Sequence, residues 1–412
     1  MLLLSLKLNN NSFTLKFKKV LKWEKKKQFF FTKIPKIDWS MKVAIIHDFL
    51  NQYGGAEKVV EVLNELFPEA PIYTIIYDKD IMPANFGKMD IRTSYMQKIP
   101  GISKHFKKYL LFYPKAVESF NLKEFDLVIS SSSSFAKGAI TNQNTCHICY
   151  CYTPMRFVWD YEHYIEKENF NKIILKLLPS VIKRLKKWDL MSTCRVNCFI
   201  AISNHIKERI KKSYNRDSIV IYPPVEVKEF KISDSHDDYF LIVSRLNAYK
   251  NIDLVIEAFN VLDLKLKIVG SGPYRSVLEN IKKSKNIEFL GRLSNEDLRK
   301  IYTRCRAYIF PGTEDFGISP VEAQASGRPV IAYAAGGALE TVIDGITGLF
   351  FNENTIESFI KSINDFIAME DNFNPINIRE NALRFDQEVF KNRMKDLIFE
   401  KYDKNSKFNR FL

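Results

Sequence analysis

The chain has 412 residues, of which 46% are apolar and 27% charged, and its formal net charge is +14. This length favours two domains over one, and the composition is that of a globular protein rather than a fibrous or disordered chain. No apolar run is long enough to cross a bilayer, and the first residues lack the pattern of a secretory signal. The six cysteines are few and lie close together, which is not typical of a disulfide framework, so we predict a reducing cytoplasm as the compartment.

Residues 1–40 differ in character from the rest of the chain. They carry ten lysines against Glu24 and Asp38, and so hold +8 of the net charge. They show no clear helical or strand period, whereas Met41 opens a strand-like run, MKVAIIHDF. We predict that residues 1–40 are a basic N-terminal extension outside the core, with a membrane-surface segment as the alternative. This positive charge is compatible with binding to nucleic acid or to an anionic membrane, and it does not distinguish between these two partners.

From Met41 onward, short β-rich runs alternate with helical patterns, which predicts two series of parallel α/β units. The first series forms a domain at residues 41–222 and ends before Pro223-Pro224, which we interpret as a hinge. Its predicted strands are residues 42–46, 72–77, 127–130, 147–152, 198–202 and 219–222, and its main predicted helices are 56–66, 103–119 and 165–189.

The second series forms a domain at residues 223–385. Its predicted strands are residues 239–243, 265–269, 287–290, 307–310, 330–332 and 349–351, and each gap between them has about the length of one helix. Residues 386–412 follow as a further helix, predicted at 386–401, and a tail.

Residues 307–351 combine a strand, a glycine-containing loop and a helix N-terminus. Ser319 is the predicted N-cap of the helix and Pro320 its first residue. Free backbone N–H groups and the helix dipole converge at such a point, so the stretch predicts an anion site. Glu314 lies in the loop with no evident capping role, whereas a capping box with Ser319 explains Glu322 equally well.

Two cations follow the first strand of the second domain. Arg245 and Lys250 lie just beyond its carboxyl end, where parallel sheets bind their ligands. Together they could hold a diphosphate, with arginine as a fork and lysine as a point charge. A solvated basic loop is the alternative interpretation.

Other site chemistry finds less support in the sequence. Gly270 and Gly272 follow a strand, but the third glycine of a dinucleotide fingerprint would fall at Arg275. Cys149 and Cys151 lie in an apolar strand run, which favours packed thiols over a zinc site.

The predicted helices at residues 103–119 and 165–189 place lysine and arginine beside large apolar side chains. They are either ordinary amphipathic helices or a surface that docks on an anionic inner leaflet.

Several motifs together resemble those of a known family. In the second domain they are Ser244-Arg245-Leu246 with Lys250, Val269-Gly270 with Gly272-Pro273, Phe289-Leu290-Gly291, and Glu314 with Phe316-Gly317 and Glu322-Ala323. In the first domain they are Gly54-Gly55-Ala56-Glu57 and the run from Tyr152-Thr153-Pro154 to Trp159-Asp160. Over roughly residues 41–400 the chain resembles the GT-B-fold retaining glycosyltransferases of family 4 (glycosyl transferases group 1). The first-domain motifs are similar to the mannosyltransferase-like branch that builds bacterial O-antigen and other surface polysaccharides.

The resemblance implies two Rossmann-like, doubly wound α/β domains that face each other across a cleft, with a C-terminal crossover helix. It implies a hexosyltransferase that transfers mannose from GDP-mannose, with retention, to a growing saccharide or a polyprenyl-linked acceptor. Such an enzyme is expected to be cytoplasmic, at the inner face of the plasma membrane, and to need no cofactor, metal or nucleic acid.

The resemblance also assigns roles to single residues. Arg245 and Lys250 would neutralise the leaving diphosphate. Glu314 would contact the donor hexose, and Glu322 would bind the ribose hydroxyls. The other donor-binding positions are Phe316, Gly317, Ile318, Gly270 and Gly272. The acceptor or phosphate-loop positions in the first domain are Gly54, Gly55, His47, Tyr152 and Arg156.

Tyr152 departs from the family pattern, because relatives often carry histidine at this position. His147 lies five positions earlier on the same predicted strand, on the opposite face, and we predict that it is a packed strand residue. His47, at the end of the first strand, is the better candidate for a sugar-orienting imidazole.

Two alternatives stay open at this point. One is another nucleotide-sugar enzyme of the same fold, such as a UDP-sugar transferase or an epimerase. The other is a non-catalytic, basic α/β protein that binds surfaces.

Overall fold

The computed structural model describes residues 41–161 and 172–409. The predicted extension at residues 1–40 lies outside the described residues, as does the 165–171 part of the helix predicted at 165–189. The described chain is built on two parallel β-sheets, one in each half. The predicted α/β architecture of two Rossmann-like domains is therefore confirmed.

The first sheet has the strand order β3-β2-β1-β4-β5-β6-β7, and its neighbouring strands are parallel. Its strands are β1 (Val43–His47), β2 (Ile72–Thr74), β3 (Ile91–Thr93), β4 (Leu127–Ser132), β5 (Cys146–Cys151), β6 (Cys198–Ala201) and β7 (Ser218–Val220). The sequence predicted each of these except β3. That strand lies at the sheet edge and is largely exposed, so it lacks the apolar run that marks a buried parallel strand.

The helices of the first domain are α1 (Gly55–Leu66), α2 (Ile102–His105), α3 (Tyr113–Glu118), α4 (Arg156–Trp159), α5 (Lys172–Ser192) and α6 (Asn204–Tyr214). The prediction of one continuous helix at residues 103–119 is wrong. Pro114 lies in the first turn of α3, the place where a helix accepts proline, so a new helix begins there. The chain turns before it, and the Tyr113 hydroxyl donates a hydrogen bond across the turn to the Phe106 carbonyl oxygen at 2.5 Å.

The second sheet has the order β10-β9-β8-β11-β12-β13, again parallel throughout. Its strands are β8 (Phe240–Val243), β9 (Leu266–Val269), β10 (Ile287–Gly291), β11 (Ala307–Phe310), β12 (Val330–Tyr333) and β13 (Gly348–Phe351). The remaining helices are α7 (Ile252–Phe259), α8 (Arg275–Ile281), α9 (Asn295–Arg304), α10 (Ile318–Ala325), α11 (Ala338–Thr341), α12 (Ile356–Met369), α13 (Pro375–Ala382) and α14 (Gln387–Asn409).

Both faces of each sheet are buried, which explains why the strands appear in the sequence as apolar runs. Along β1, Ile45 packs in one hydrophobic cluster while Ala44 and Ile46 pack in another on the opposite face. Along β8, Leu241 and Ile242 divide between two clusters in the same way. Successive strand side chains point to opposite faces, so this division shows that each sheet is covered on both sides.

The last helix, α14, crosses from the second domain to the first. Phe390 packs edge-on against Tyr150 of β5 with ring centroids 5.6 Å apart. Lys391 Nζ lies 2.8 Å from a carboxylate oxygen of Glu65 on α1. These contacts confirm the predicted crossover helix, which extends beyond the predicted end at residue 401. Across the two described ranges, no helix combines the length and the apolar character needed to span a membrane.

Candidate functional site

Each sheet has a switch point, where the strand order reverses direction and a crevice opens at the carboxyl ends of two neighbouring strands. In the second sheet the switch point lies between β8 and β11. Arg245 follows β8 and Glu314 follows β11, so topology brings these two predicted site residues to the same crevice. In the first sheet the switch point lies between β1 and β4, and His47 ends β1.

Lys250 and Glu314 form an ion pair at the crevice of the second domain. The Lys250 side chain is 11% exposed and that of Glu314 is 27% exposed. Partial burial lowers the local dielectric constant and strengthens such a pair relative to one on the surface. The structure therefore brings together a cation and a carboxylate that lie 64 positions apart in the sequence.

The loop that carries Arg245 is held by the turn after β9. The Leu246 N–H donates to the Ser271 carbonyl oxygen at 3.1 Å. Gly270 has φ +132°, and a Cβ at this position would lie 1.9 Å from the Ser244 carbonyl oxygen, so only glycine fits. The structure places Gly270 and Gly272 directly behind the Arg245 loop, where they let the two loops approach backbone to backbone.

The loop after Glu314 is fixed from both domains. The Gly337 N–H donates to the Glu314 carbonyl oxygen at 2.8 Å, and the Ser203 hydroxyl of the first domain donates to the Asp315 carbonyl oxygen at 2.6 Å. Phe316 is buried and stacks on Tyr222 beside the hinge, with ring centroids 5.6 Å apart. Its side chain therefore belongs to the core.

Helix α10 begins differently from the sequence prediction. Its N-cap is Gly317, with φ +89°, and Ser319 is the second helical residue, so the prediction of Ser319 as N-cap and Pro320 as first residue is wrong. Ser319 lies inside the helix rather than before it, so it does not occupy the cap position. The glycine loop and the helix N-terminus remain adjacent, because Ile318 is the first helical residue.

Glu322 lies in the second turn of α10 and does not form a capping box with Ser319, because its carboxylate has other partners. Glu322 Oε2 accepts a hydrogen bond from the buried Tyr302 hydroxyl at 3.0 Å. Burial raises the pKa of Tyr302 well above its ordinary value, so this hydroxyl stays a donor. Glu322 Oε1 lies 3.5 Å from Lys58 Nζ of the first domain.

The Gly54-Gly55 turn of the first domain lies against the second domain. A Cβ on Gly54 would lie 2.5 Å from Arg245 Nη2, and one on Gly55 would lie 2.6 Å from Ile318 Cδ1. Arg245 Nη1 also donates to Gln52 Oε1 at 3.1 Å. A side chain at either position would require the end of the Arg245 or Ile318 side chain to shift.

Arg156 is the second first-domain cation that crosses the cleft. Its Nη2 lies 2.5 Å from Oδ2 of Asp315, the residue next to Glu314. The structure therefore joins the predicted acceptor residue Arg156 to the loop that carries the predicted hexose contact.

His47 and Tyr152 lie behind the Gly54-Gly55 turn. The Tyr152 hydroxyl donates a hydrogen bond to the Ala56 carbonyl oxygen at 3.0 Å, and it lies 2.8 Å from Ser131 Oγ. His47 Nδ1 lies 2.9 Å from the same Ser131 oxygen, and the ring is buried. In this conformation both side chains support the start of α1 from within the first domain.

His147 is fully buried on β5, with Nδ1 3.0 Å from the Arg195 carbonyl oxygen and Nε2 2.9 Å from Ser130 Oγ. Its environment is that of a packed strand residue. Burial lowers the pKa of His147 from its ordinary value of 6.5 to about 4.

The buried neutral imidazole of His147 predicts a loss of stability in acid. The folded state resists protonation while the unfolded state accepts it, so the contribution is complete above pH 6.5 and declines as the pH falls towards 4. We expect this residue to account for about 3 kcal/mol of that decline. Urea unfolding at a series of pH values should show a shallower decline for His147→Gln than for the wild type. Replacement of the exposed His105 by Gln should leave the wild-type slope, and an unchanged slope for His147→Gln would contradict the prediction.

Asp48 and Glu340 hold key segments of the cleft and were not predicted from the sequence. Asp48 follows β1, is buried, and accepts hydrogen bonds from four backbone N–H groups and one hydroxyl of residues 133–136. Glu340 of the second domain accepts bonds from the backbone N–H groups of Asn204 and His205 at the start of α6. One feature of the sequence could have indicated the importance of Asp48, because this residue immediately follows the strand at the switch point.

Five of the six cysteines are buried. Burial raises the pKa of the Cys146 thiol to about 11 and that of Cys305 to about 12, so both stay protonated at neutral pH. Within residues 41–161 and 172–409, no cluster of three or more His, Cys, Asp or Glu side chains could hold a metal ion.

The two parallel sheets, their facing switch points and the crossover helix define the GT-B class of glycosyltransferase folds. Residues 226–384, which include most of the second domain, match the family Glycosyl transferases group 1. The chain therefore carries a glycosyl transferases group 1 domain, as the sequence motifs predicted.

Curated relatives agree with this family. An uncharacterized glycosyltransferase of Methanocaldococcus jannaschii is 30% identical over 44% of this chain and 52% of its own length. Alpha-1,3/1,6-mannosyltransferase ALG2 of Dictyostelium discoideum is 27% identical over 54% of this chain and 64% of its own length. The chain thus spans one half to two thirds of the length of these two relatives. O-antigen chain mannosyltransferase C of Escherichia coli is 25% identical over 82% of this chain and 91% of its own length.

Solved structures share the fold. HepE of Anabaena, in complex with UDP, has a TM-score of 0.64 at 17% identity and covers 87% of this chain and 100% of its own. Sucrose-phosphate synthase of Thermosynechococcus elongatus has a TM-score of 0.69 at 17% identity and covers 87% of this chain and 99% of its own.

Proposed function

We propose that the protein is a retaining hexosyltransferase that uses a nucleotide-sugar donor, with GDP-mannose as the favoured donor. The acceptor would be a growing saccharide or a polyprenyl-linked saccharide of a bacterial surface polysaccharide. The observation that carries the proposal is the Lys250–Glu314 pair beside Arg245 at the switch point, opposite the Gly54-Gly55 turn. Cations for a diphosphate and a carboxylate for a hexose thus lie together in one cleft.

The proposed catalysis is electrostatic. Negative charge grows on the leaving diphosphate as its bond to the hexose breaks, and Arg245 and Lys250 stabilise this charge. The N-terminus of α10 adds the partial positive charge of its free N–H groups. Glu314 accepts hydrogen bonds from the hexose, and Glu322 binds the ribose hydroxyls. No metal or other cofactor takes part in this proposal.

Closure of the two domains about Pro223-Pro224 would exclude water, so that the acceptor reacts in preference to hydrolysis. Contacts across the cleft support a closed state, since Arg245 reaches Gln52 and Arg156 reaches Asp315.

The inner leaflet of the plasma membrane is the proposed working surface. Exposed apolar side chains next to basic segments of the first domain support this location, with Phe112 57% and Met191 59% exposed. Lysine and arginine on the exposed face of α5 would meet anionic headgroups.

The names of two relatives favour mannose as the sugar, since ALG2 and the O-antigen protein are both called mannosyltransferases. A UDP-sugar donor is the second candidate, because the HepE structure contains UDP.

A thermal-shift panel of GDP-mannose, UDP-glucose and ADP-glucose tests the donor. A ligand that binds only the native state stabilises it by about 2.7 kcal/mol at a hundredfold excess over its dissociation constant. We expect the largest rise in Tm with GDP-mannose, and transfer of labelled mannose to a polyprenyl-linked acceptor in anionic vesicles. A rise with UDP-glucose alone would favour the second candidate. No rise with any nucleotide sugar would contradict the proposed function.

A further inference from the structure

Lys58 crosses the cleft from the first turn of α1. Its Nζ lies 3.5 Å from Oε1 of Glu322 in the second domain. The Lys58 side chain is 34% exposed and that of Glu322 is 10% exposed, so the contact lies at the partly dry edge of the cleft. No role for Lys58 follows from the nucleotide-sugar site as described above.

The two oxygens of Glu322 differ in how easily they can change partner. Oε2 is bound to the hydroxyl of Tyr302, which is fully buried in the second domain. Among the described residues, the partner of Oε1 is Lys58, across the cleft. If Glu322 binds the ribose of the donor, the ribose hydroxyls and Lys58 compete for Oε1.

The displaced ammonium group would remain beside the site of the diphosphate. The Lys58 N–H donates to the Gly54 carbonyl oxygen at 3.0 Å, a helical bond that places the two residues on one face of α1. Gly54 is the residue whose Cβ would lie 2.5 Å from Arg245 Nη2. Lys58 therefore projects from the same face that meets the proposed phosphate-binding arginine.

The neighbouring carboxylate on α1 does not neutralise Lys58. Glu57 is buried and its Oε1 lies 3.6 Å from His47 Nε2, inside the first domain. When Glu322 takes another partner, Lys58 needs a new anion, and a diphosphate supplies one.

We propose that Lys58 is a ligand-binding residue that exchanges its ion pair with Glu322 for one with the diphosphate of a bound nucleoside diphosphate or nucleotide sugar. Without nucleotide, Lys58 neutralises Glu322 and holds the cleft together. With nucleotide, the ribose binds Glu322 and Lys58 joins Arg245 and Lys250 at the phosphates. The inference rests on the proposed function, and it adds a cation from the first domain that binds only when the cleft is closed.

Calorimetry on Lys58→Met tests the exchange, with GDP and guanosine as ligands, or UDP and uridine if the wild type selects uracil. Loss of the cation should weaken binding of the diphosphate by roughly tenfold or more. The nucleoside should bind as tightly as to the wild type or more tightly, because its competitor for Glu322 is gone. The kcat of transfer should fall, and Lys58→Arg should restore most of the diphosphate affinity. Lys361→Met, which removes a lysine from an exposed ion pair with Asp365, serves as the matched control.

A purely structural contact gives a different result. Equal changes in diphosphate and nucleoside binding, or no change in either, would overturn the role of Lys58 while the proposed function stands. A wild-type protein that binds neither GDP nor UDP would overturn both. If Lys58→Met lowers Tm, the Lys58→Arg variant decides between the two interpretations. A Lys58→Arg protein that has the wild-type Tm but binds the diphosphate as weakly as Lys58→Met would overturn the proposal.

Discussion

Replacement of Arg245 or Lys250 by Met should lower kcat/KM for sugar transfer by roughly a hundred- to a thousandfold. Both cations lie at the crevice between β8 and β11, where charge would develop on the leaving diphosphate. Lys250, whose side chain is 11% exposed, lies in a partly dry site, where a cation stabilises that charge far more than water does. Initial rates measured over a range of donor concentrations should show a fall in kcat as well as a rise in KM.

Arg275→Met is the matched control for these variants. Arg275 lies in the same domain, is 39% exposed and forms an ion pair with Glu279 on its own helix. Its replacement should leave kcat/KM within about twofold of the wild type, since exposed helical pairs contribute little. Wild-type rates and wild-type nucleotide binding in Arg245→Met would contradict the phosphate role.

Lys250 has a second function, because it also holds Glu314. A double-mutant cycle with Glu314→Ala separates the two roles. If Lys250 acted only by orienting Glu314, the double variant would be no slower than Glu314→Ala alone. If Lys250 binds the diphosphate, the double variant should be slower than either single variant. Glu314→Ala at the wild-type rate would show that Glu314 does not contact the hexose.

The sheets were predictable because their strands are buried on both faces. An apolar run such as the one that forms β8 indicates a strand without any knowledge of its neighbours. The position of Arg245 and Glu314 at one edge of the sheet was predictable for a related reason, since residues just after parallel strands gather there. The edge strand β3 lacks both signals.

The partners of the site residues depend on the tertiary structure. Ser319 carries the local signature of an N-cap, but Gly317 takes that position and the helix begins at Ile318. Glu322 fits a capping box by spacing, yet its partners are Tyr302, 20 positions away, and Lys58 of the other domain. Local rules consider only neighbours in the sequence, so a buried partner from another element overrides them.

Asp48 is the clearest case of a residue whose importance is invisible in its own neighbourhood. Its five hydrogen-bond donors lie 85 to 88 positions away, in the turn that follows β4 at the first switch point. A buried carboxylate that accepts several backbone N–H bonds replaces the hydration that both partners lose on folding. The turn therefore depends on one side chain for its closure.

We expect Asp48→Ala to lower the free energy of unfolding by about 3–5 kcal/mol, because it leaves four backbone N–H groups, three of them on buried residues, without an acceptor. Asp48→Asn should cost nearly as much, since its amide would present N–H groups to N–H donors. The urea midpoint of unfolding measures both. Asp126→Ala is the control, because Asp126 accepts one backbone N–H, from Lys42 at 2.8 Å, near the surface. Its loss should cost about 1 kcal/mol. Equal, small costs for Asp48→Ala and Asp126→Ala would show that the turn after β4 closes without Asp48.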